Sequence, residues 1–244
     1  MPPLLITDLG LISYADAFAL QERLVVARKA GAIGHVLLFC EHPHVITLGR
    51  NANRANLLAS EHVLRQKGVE LHVTNRGGDV TYHGPGQIVG YPILNLGSIK
   101  RDVGWYVRML EEVMIRASAH FGVTAYRVPG KTGIWVQSGV DADNAEEKLG
   151  AIGVHISRWV TSHGFAYNVA TDLRYFDLII PCGIADRKAT SVEKLLSRAV
   201  TLGEVKPHII QHLAELFSLA PRVASREDLL ANLAQFEETV PSQP

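Results

Sequence analysis

Residues 76–87, with the sequence Arg-Gly-Gly-Asp-Val-Thr-Tyr-His-Gly-Pro-Gly-Gln, are the feature that most constrains this chain. The segment holds four glycines and one proline between two stretches with the pattern of strands. Glycine permits positive φ angles and lets another molecule approach the backbone, at an entropic cost that ordinary loops avoid. A hairpin with a bulge would need about one glycine. The segment is therefore predicted to be a ligand-binding loop, with a plain hairpin as the alternative.

The composition is typical of a soluble globular protein, and 244 residues suffice for one large domain or two small ones. The 24 basic and 24 acidic side chains give zero formal net charge, which argues against general nucleic-acid binding. No apolar run approaches the ~20 residues that span a bilayer, and the N-terminus lacks a signal-peptide pattern. We therefore expect no nucleic-acid or membrane partner and a cytoplasmic location, or an organelle matrix if a transit peptide has been removed.

Two cysteines exclude a disulfide framework and a cysteine-rich zinc site. Cys40 ends the apolar run 36–39, where a cysteine is usually a small core residue. Cys182 lies between a proline and a glycine after the apolar run 178–180, which makes it the candidate for chemistry. Two histidines at positions 42 and 44 flank a proline, but no third ligand at suitable spacing accompanies them. No metal site is therefore expected.

Capping residues and apolar periodicity predict several helices and strands. The fold class is predicted as α+β, because short strands and hairpins are segregated from the helices. One domain is expected over residues 1–244, with a core of about 10–217, then a C-terminal helix and a disordered tail 241–244. Pro92 is expected at a sheet edge or a bulge. The predicted helices run from 13 to 31 and from 102 to 121 and begin again at Ser191, Thr201 and Ser225; the predicted strands are 33–39, 45–48, 69–74, 88–96, 133–137, 151–156 and 165–169, with an acidic turn at 141–147.

Residues 76–87 also resemble the signature of the octanoyl (lipoyl) transferases, which belong to the wider family of biotin and lipoate protein ligases. Three further places match in order: 41–43 with 47–50, then 148–154, then 181–184. Together they span roughly residues 10–215, and the combination is more specific than any single motif. The histidine at position 44 departs from the apolar or small residue expected there. The resemblance implies a biotin/lipoate protein ligase-like catalytic domain, a mixed β-sheet with flanking helices.

Thioester exchange needs a thiolate, a cation that stabilises it, and donors for the tetrahedral oxyanion. A free cysteine titrates near ~8.5, so a neighbouring cation must lower its pKa. The resemblance assigns Cys182 as the nucleophile that carries the acyl thioester, and Lys148 as the residue that lowers its pKa. Taken alone, Lys148 also fits a solvated lysine at the end of the charged run 146–148.

The resemblance further implies an acyl-substrate pocket formed by three stretches. Small residues there would let backbone amides approach a substrate carbonyl, although the larger residues among them also fit plain packing. His83 could orient the attacking or leaving group, or only hydrogen-bond the loop, and Asp79 is expected to brace the turn. The predicted substrate-binding residues are Arg76, Gly77, Gly78, Asp79, Val80, Thr81, Tyr82, His83, Ala151, Ile152, Gly153, Gly164, Phe165 and Ala166.

The activity that the resemblance implies is acyl transfer without cofactor, metal or ATP. An octanoyl (or lipoyl) group would pass from acyl carrier protein, through the cysteine thioester, to a lysine of a lipoyl domain. The implied acceptors are the lipoyl domains of 2-oxoacid dehydrogenases and the glycine cleavage H protein. The alternatives are an amidotransferase between lipoyl domains, an ATP-dependent lipoate or biotin ligase, and a non-catalytic module that binds lipoylated proteins.

Overall fold

The computed structural model describes residues 1–138, 145–180 and 188–239. Eleven strands lie within this part of the chain. They are β1 (Pro3–Leu11), β2 (His35–Glu41), β3 (Val45–Leu48), β4 (Glu70–Val73), β5 (Val80–His83), β6 (Gln87–Ile93), β7 (Tyr126–Val128), β8 (Lys131–Ser138), β9 (Ala145–Ser157), β10 (Val160–Asn168) and β11 (Ala220–Val223).

The strands form two sheets. Eight of them make a mixed sheet in the order β11-β1-β2-β6-β10-β9-β8-β7. Strand β1 is parallel to both β2 and β11, and the other neighbours in this sheet are antiparallel. The smaller sheet has the order β4-β3-β5, with β3 parallel to β4 and antiparallel to β5. The mixed sheets and separate helices confirm the predicted α+β fold class.

Helices cover both faces of the large sheet. The described α-helices are α1 (Tyr14–Lys29), α2 (Glu61–Gln66), α3 (Val103–Ala119), α4 (Val192–Leu196), α5 (Leu202–Phe217) and α6 (Arg226–Thr239). Helices α3 and α5 contribute to the core on one face, and α1 and α6 contribute to the core on the other. None of the helices in the described ranges is long and apolar enough to cross a membrane.

Strand alternation explains how one sheet serves two cores. In β2, Leu37 and Phe39 join the core with α3 and α5, whereas Val36, Leu38 and Cys40 join the core with α1 and α6. Cys40 is fully buried, and burial raises the pKa of its thiol. It is a packing residue, as predicted. A third core lies under the small sheet, where a short 3-10 helix, Leu173–Leu178, packs against β5.

The predicted helix starts are confirmed by the capping contacts. The side chains of Ser13, Asp102 and Ser191 each accept a hydrogen bond from a backbone amide three residues on. Thr201 and Glu204 form the predicted capping box. The predicted tail 241–244 and residues 141–144 of the acidic turn lie outside the described residues.

Several strand features differ from the sequence predictions, and residues 145–147, predicted as part of the acidic turn, begin strand β9. Strands β1, β7 and β11 were not predicted, and β1 and β11 pair with each other at one edge of the large sheet. Residues 80–83, predicted as part of a loop, form strand β5. Pro92 lies in an interior strand, where the ladder between β6 and β10 is interrupted beyond Gly90. The amide of His163, which would face the carbonyl of this proline, donates to the side chain of Gln21 instead, and that carbonyl accepts from the hydroxyl of Thr161.

Candidate active site

A cavity of about 450 Å³ lies between the glycine-rich segment and one face of β6, β10 and β9. It is lined by both polar and apolar residues. The predicted residues that line it are Arg76, Gly77, Gly78, Asp79, Val80, Thr81, His83, Lys148, Ala151, Ile152, Gly153, Gly164, Phe165 and Ala166.

Small residues form the floor of this cavity. Ala166 pairs with Ala151 on β9 and with Val89 on β6, and Gly164 pairs with Gly153. These residues share one face of the sheet, and their short side chains leave the room that larger ones would fill. The side chain of Phe165 points to the opposite face, where it joins the core with α3 and α5. The cavity is therefore bordered by the backbone of this residue.

The glycine-rich segment is fixed against β9 through its backbone. The amide of Gly77 donates to the carbonyl of Val154 at 2.9 Å, and Gly78 has a φ of +89°, which favours glycine. A Cβ atom on Gly153 would lie 2.9 Å from the carbonyl oxygen of Gly77, so the two backbones meet only because this residue is glycine.

Arg76 is buried and holds the segment in shape. Its Nε donates to the hydroxyl of Thr47 at 3.0 Å, and its terminal nitrogens donate to the carbonyl oxygens of Thr47, Gly77 and Asp79. The carboxylate of Asp79 accepts hydrogen bonds from the amide of Asn53 and the side chain of Asn56. Both residues thus brace the loop, as expected for Asp79.

A one-residue bulge brings Lys148 to the cavity. Ile134 pairs with Gly150, but the next residue, Trp135, pairs with Lys148, so Leu149 is an extra residue in β9. Leu149 enters the hydrophobic core, while Lys148 and Ala151 both line the cavity. Regular alternation would have put residues three apart on opposite faces. The ammonium of Lys148 lies 4.9 Å from the centre of the Trp135 ring, a cation–π distance.

Cys182 lies outside the described residues, so its predicted contact with Lys148 stays a prediction. The described residues on either side of it are anchored near the cavity. The amide of Ile180 donates to the carbonyl of Asn56 at 2.7 Å. On the other side, the carbonyl of Lys188 accepts from the amide of Lys148 at 2.9 Å, and Lys188 itself lines the cavity.

Three buried histidines lie around the cavity, and burial lowers the pKa of each. For His83 and His163 the pKa falls to about 3, so both rings are neutral at physiological pH. His83 binds Gln87 through Nδ1 at 2.7 Å, and His163 binds Asn75 through Nε2 at 2.6 Å. Within the described ranges, no three His, Cys, Asp or Glu side chains are arranged to hold a metal ion.

Tyr82 does not line the cavity, unlike its neighbours in β5. Its ring faces the core under the small sheet, and its hydroxyl bonds to Nδ1 of His44 at 2.8 Å. Side chains alternate along a strand, so Thr81 and His83 point to one face and Tyr82 to the other. Sequence reasoning missed several lining residues; alternation along β6 from Val89 could have identified Tyr91. Other missed residues include Tyr14, Gln87, Trp135 and Asn168.

Known proteins resemble this chain over most of its length. The family described as the lipoyl protein ligase A/B catalytic domain matches residues 13–214. An octanoyltransferase of Acidobacterium capsulatum is 57% identical over 192 residues, covering 76% of this chain and 77% of that protein. An octanoyltransferase of Solibacter usitatus is 52% identical over 210 residues, covering 86% of this chain and 91% of that protein.

The fold also matches a solved structure from an archaeal lipoylation system, a bipartite lipoate protein ligase and its E2 lipoyl domain from Thermoplasma acidophilum. The TM-score is 0.71 at 16% identity, and the match covers 99% of this chain and 93% of that one. This likeness confirms the predicted ligase-like fold, and the relatives confirm the predicted family. The chain belongs to the lipoyl protein ligase A/B catalytic domain family and, within it, to the octanoyltransferases.

Proposed function

We propose that this octanoyltransferase takes its acyl group from acyl carrier protein and holds it as a thioester on Cys182. It then delivers the group to a lysine of a lipoyl domain. The proposed acceptors are the lipoyl domains of 2-oxoacid dehydrogenases and the glycine cleavage H protein. The observation that carries the proposal is the position of Lys148, which lines a cavity floored by small residues and whose amide donates to the carbonyl of Lys188, six residues after Cys182.

In the first step, the thiolate of Cys182 attacks the thioester carbonyl of the octanoyl carrier. A new C–S bond forms, the bond to the carrier's sulfur breaks, and the carrier leaves as a thiol after taking up a proton. The ammonium of Lys148 would favour the thiolate by its charge. The acyl chain lies over the small floor residues, and each buried methylene contributes ~0.8 kcal/mol to binding.

In the second step, the ε-amino group of the acceptor lysine attacks the acyl carbonyl of the enzyme thioester. The C–N bond forms, the C–S bond to Cys182 breaks, and the proton lost by nitrogen passes to the departing sulfur. A thioester is converted into an amide, which is downhill, so the step requires no ATP. The buried apolar floor limits access of water to the thioester.

Intact-protein mass measurement after incubation with octanoyl-acyl carrier protein tests the first step. The wild-type protein and Cys40→Ala should both gain one octanoyl group, because Cys40 is a buried core residue. Cys182→Ala should remain folded and gain none. An octanoyl adduct on Cys182→Ala would show that another residue carries the acyl group.

The acyl-enzyme itself tests the second step. Octanoyl-loaded protein should persist for minutes in buffer and discharge rapidly onto a lipoyl domain, without ATP or metal. A lipoyl domain with arginine in place of the acceptor lysine should leave the enzyme loaded. Rapid release of free octanoate without acceptor would indicate a hydrolase, and a strict ATP requirement would indicate a ligase.

A further inference from the structure

A chain of side-chain amides runs from His83 to the strand that carries Lys148. Nδ1 of His83 lies 2.7 Å from Oε1 of Gln87, and Nε2 of Gln87 lies 2.8 Å from Oδ1 of Asn168. Nδ2 of Asn168 donates to the carbonyl of Thr190 at 2.9 Å. The amide of Thr190 in turn donates to the carbonyl of Lys148 at 2.9 Å.

Two backbone carbonyls fix the direction of every bond in this chain. The carbonyl of Thr190 can only accept, so the atom of Asn168 that faces it is the amide nitrogen. The carbonyl of Tyr82 lies 3.3 Å from Gln87 Nε2 and fixes the orientation of that amide independently. Oε1 of Gln87 therefore faces His83, and it must receive a hydrogen from Nδ1.

The proton of the neutral His83 ring is thus on Nδ1, and Nε2 carries a lone pair. His83 lines the cavity, and its Nε2 has no hydrogen-bond partner among the described residues. The ring is held as a fixed acceptor on the cavity wall. A histidine that could turn or exchange tautomers would present a donor for part of the time.

The hydrogen bonds of His42 fix the direction of the neighbouring Tyr91 hydroxyl in the same way. Nδ1 of His42 lies 2.8 Å from the carbonyl of Ile12, so this nitrogen is the donor. Nε2 of His42 then accepts the proton of the Tyr91 hydroxyl at 2.7 Å. The Tyr91 oxygen keeps its lone pairs, and Tyr91 also lines the cavity. The rings of His42 and His83 are 6.0 Å apart, so the two acceptors share one side of the cavity.

We propose that this side of the cavity receives the ε-amino group of the acceptor lysine, with Nε2 of His83 accepting a hydrogen bond from it. The acyl chain has no donor and the thioester offers only acceptors, so the amine is the incoming reactant that this wall can recognise. The bond would hold one N–H of the amine and leave its lone pair free for attack. Gln87 and Asn168 are positioning residues that act through His83. This inference rests on the proposed function.

The tautomer can be measured without any activity. Nitrogen-15 spectra of the wild-type protein at neutral pH should show His83 protonated on Nδ1. Gln87→Met removes the acceptor that holds this proton while keeping the length of the side chain, so the Nδ1–H signature should be lost. A wild-type His83 protonated on Nε2 would overturn the inference, whatever the enzyme's activity.

Single-turnover rates separate the two halves of the reaction. Gln87→Met and His83→Ala should slow the loading of octanoyl from the carrier less than they slow its discharge. Discharge onto saturating lipoyl domain should slow by about tenfold or more, because one oriented hydrogen bond is lost. Imidazole added to His83→Ala should restore discharge in part and leave loading unchanged.

His35→Ala is the matched control, because His35 is also buried but does not line the cavity. Imidazole should not accelerate discharge in this variant. Slower loading with normal discharge in Gln87→Met would overturn the inference and place His83 beside the thiol or the carrier. If the wild-type protein forms no acyl-enzyme at all, the proposed function fails, and the nitrogen-15 signature still decides the state of His83.

Discussion

The guanidinium of Arg76 binds the backbone of the loop that contains it. Its bonds to the carbonyl oxygens of Thr47, Gly77 and Asp79 join the small sheet to the glycine-rich segment. Arginine suits this task because its planar fork offers several donors and stays charged when buried. The residue lines the cavity, and these contacts support a structural role in addition to any contact with substrate.

Lys148 is expected to act through its charge. Lys148→Met keeps most of the side-chain stem but should raise the pKa of the Cys182 thiol. We expect loading from octanoyl-acyl carrier protein to slow on the order of 100-fold. The measurement is the pH profile of Cys182 alkylation, followed by mass, together with the loading rate. Lys148→Arg should be partly active, because the guanidinium differs in reach and donor geometry.

Lys100→Met is the matched control for this variant. The Lys100 ammonium lies 5.5 Å from the centre of the Trp105 ring, a contact like that between Lys148 and Trp135 but away from the cavity. Its loss should leave alkylation and loading unchanged. Identical alkylation profiles for Lys148→Met and the wild type would show that Lys148 does not tune the thiol.

At the scale of elements, the close packing of β9 against the glycine-rich segment can be tested by adding one methyl group to Gly153. Gly153→Ala would place a Cβ 2.9 Å from the carbonyl oxygen of Gly77 and 3.1 Å from Cδ of Arg76. Such overpacking against backbone costs typically about 1–3 kcal/mol. We expect a lower free energy of unfolding in urea and slower octanoyl transfer, because the loop must move away from the floor.

Gly203→Ala is the control for this variant, because its added methyl group would make no close contact. Gly203 lies in the first turn of α5, and a Cβ added there would have Oγ1 of Thr201 as its nearest neighbour, 3.8 Å away. The added methyl should stabilise the helix by about 0.5–1 kcal/mol. If Gly153→Ala were as stable and active as Gly203→Ala, the close approach of β9 to the loop would not matter.

Helix starts could be predicted from the sequence because they depend on short-range chemistry. Thr201 and Glu204 cap α5 with contacts inside one turn, and the sequence contains all of them. Strand partners are different, since β1 pairs with β11, more than two hundred residues away. The prediction for Pro92 was wrong for the same reason. The side chain of Gln21, which accepts the hydrogen bond from the amide of His163, belongs to a distant helix.

The residues of the site divide in the same way, into those that short motifs predict and those that depend on tertiary packing. Motif residues such as Gly77 and Ala151 were predicted because each motif is contiguous, and the fold brings the motifs to one cavity. Tyr14 and Asn168 were missed, because their side chains reach the cavity only through tertiary packing. Tyr82 was included because it lies within a motif, but strand alternation turns it away.

At the scale of the whole molecule, buried neutral histidines make stability depend on pH. Burial lowers the pKa of His35 to about 4 and the pKa of His83 and His163 to about 3. An unfolded histidine titrates near ~6.5. Below that pH the unfolded chain binds protons that the folded chain does not, so stability is present above about pH 6.5 and falls as the pH drops.

We expect the free energy of unfolding to be lower at pH 5 than at pH 7.5, by up to about 2 kcal/mol per buried histidine. Urea titrations at both pH values measure the difference. His35→Gln should reduce the pH dependence, whereas His62→Gln, at an exposed position in α2, should leave it unchanged. An equal pH dependence in His35→Gln and the wild type would show that His35 is not protonated on unfolding.

The bulge at Leu149 compensates for the odd spacing between Lys148 and Ala151 in strand β9. The extra residue changes the parity of the strand, so Lys148 and Ala151 face the same side. Substitution of Leu149 by another apolar residue preserves that parity. Its deletion would remove the bulge and leave Lys148 two positions before Ala151, so regular alternation would keep both residues on the cavity side. In this strand the bulge, together with the spacing in the sequence, determines which side chains share the cavity face.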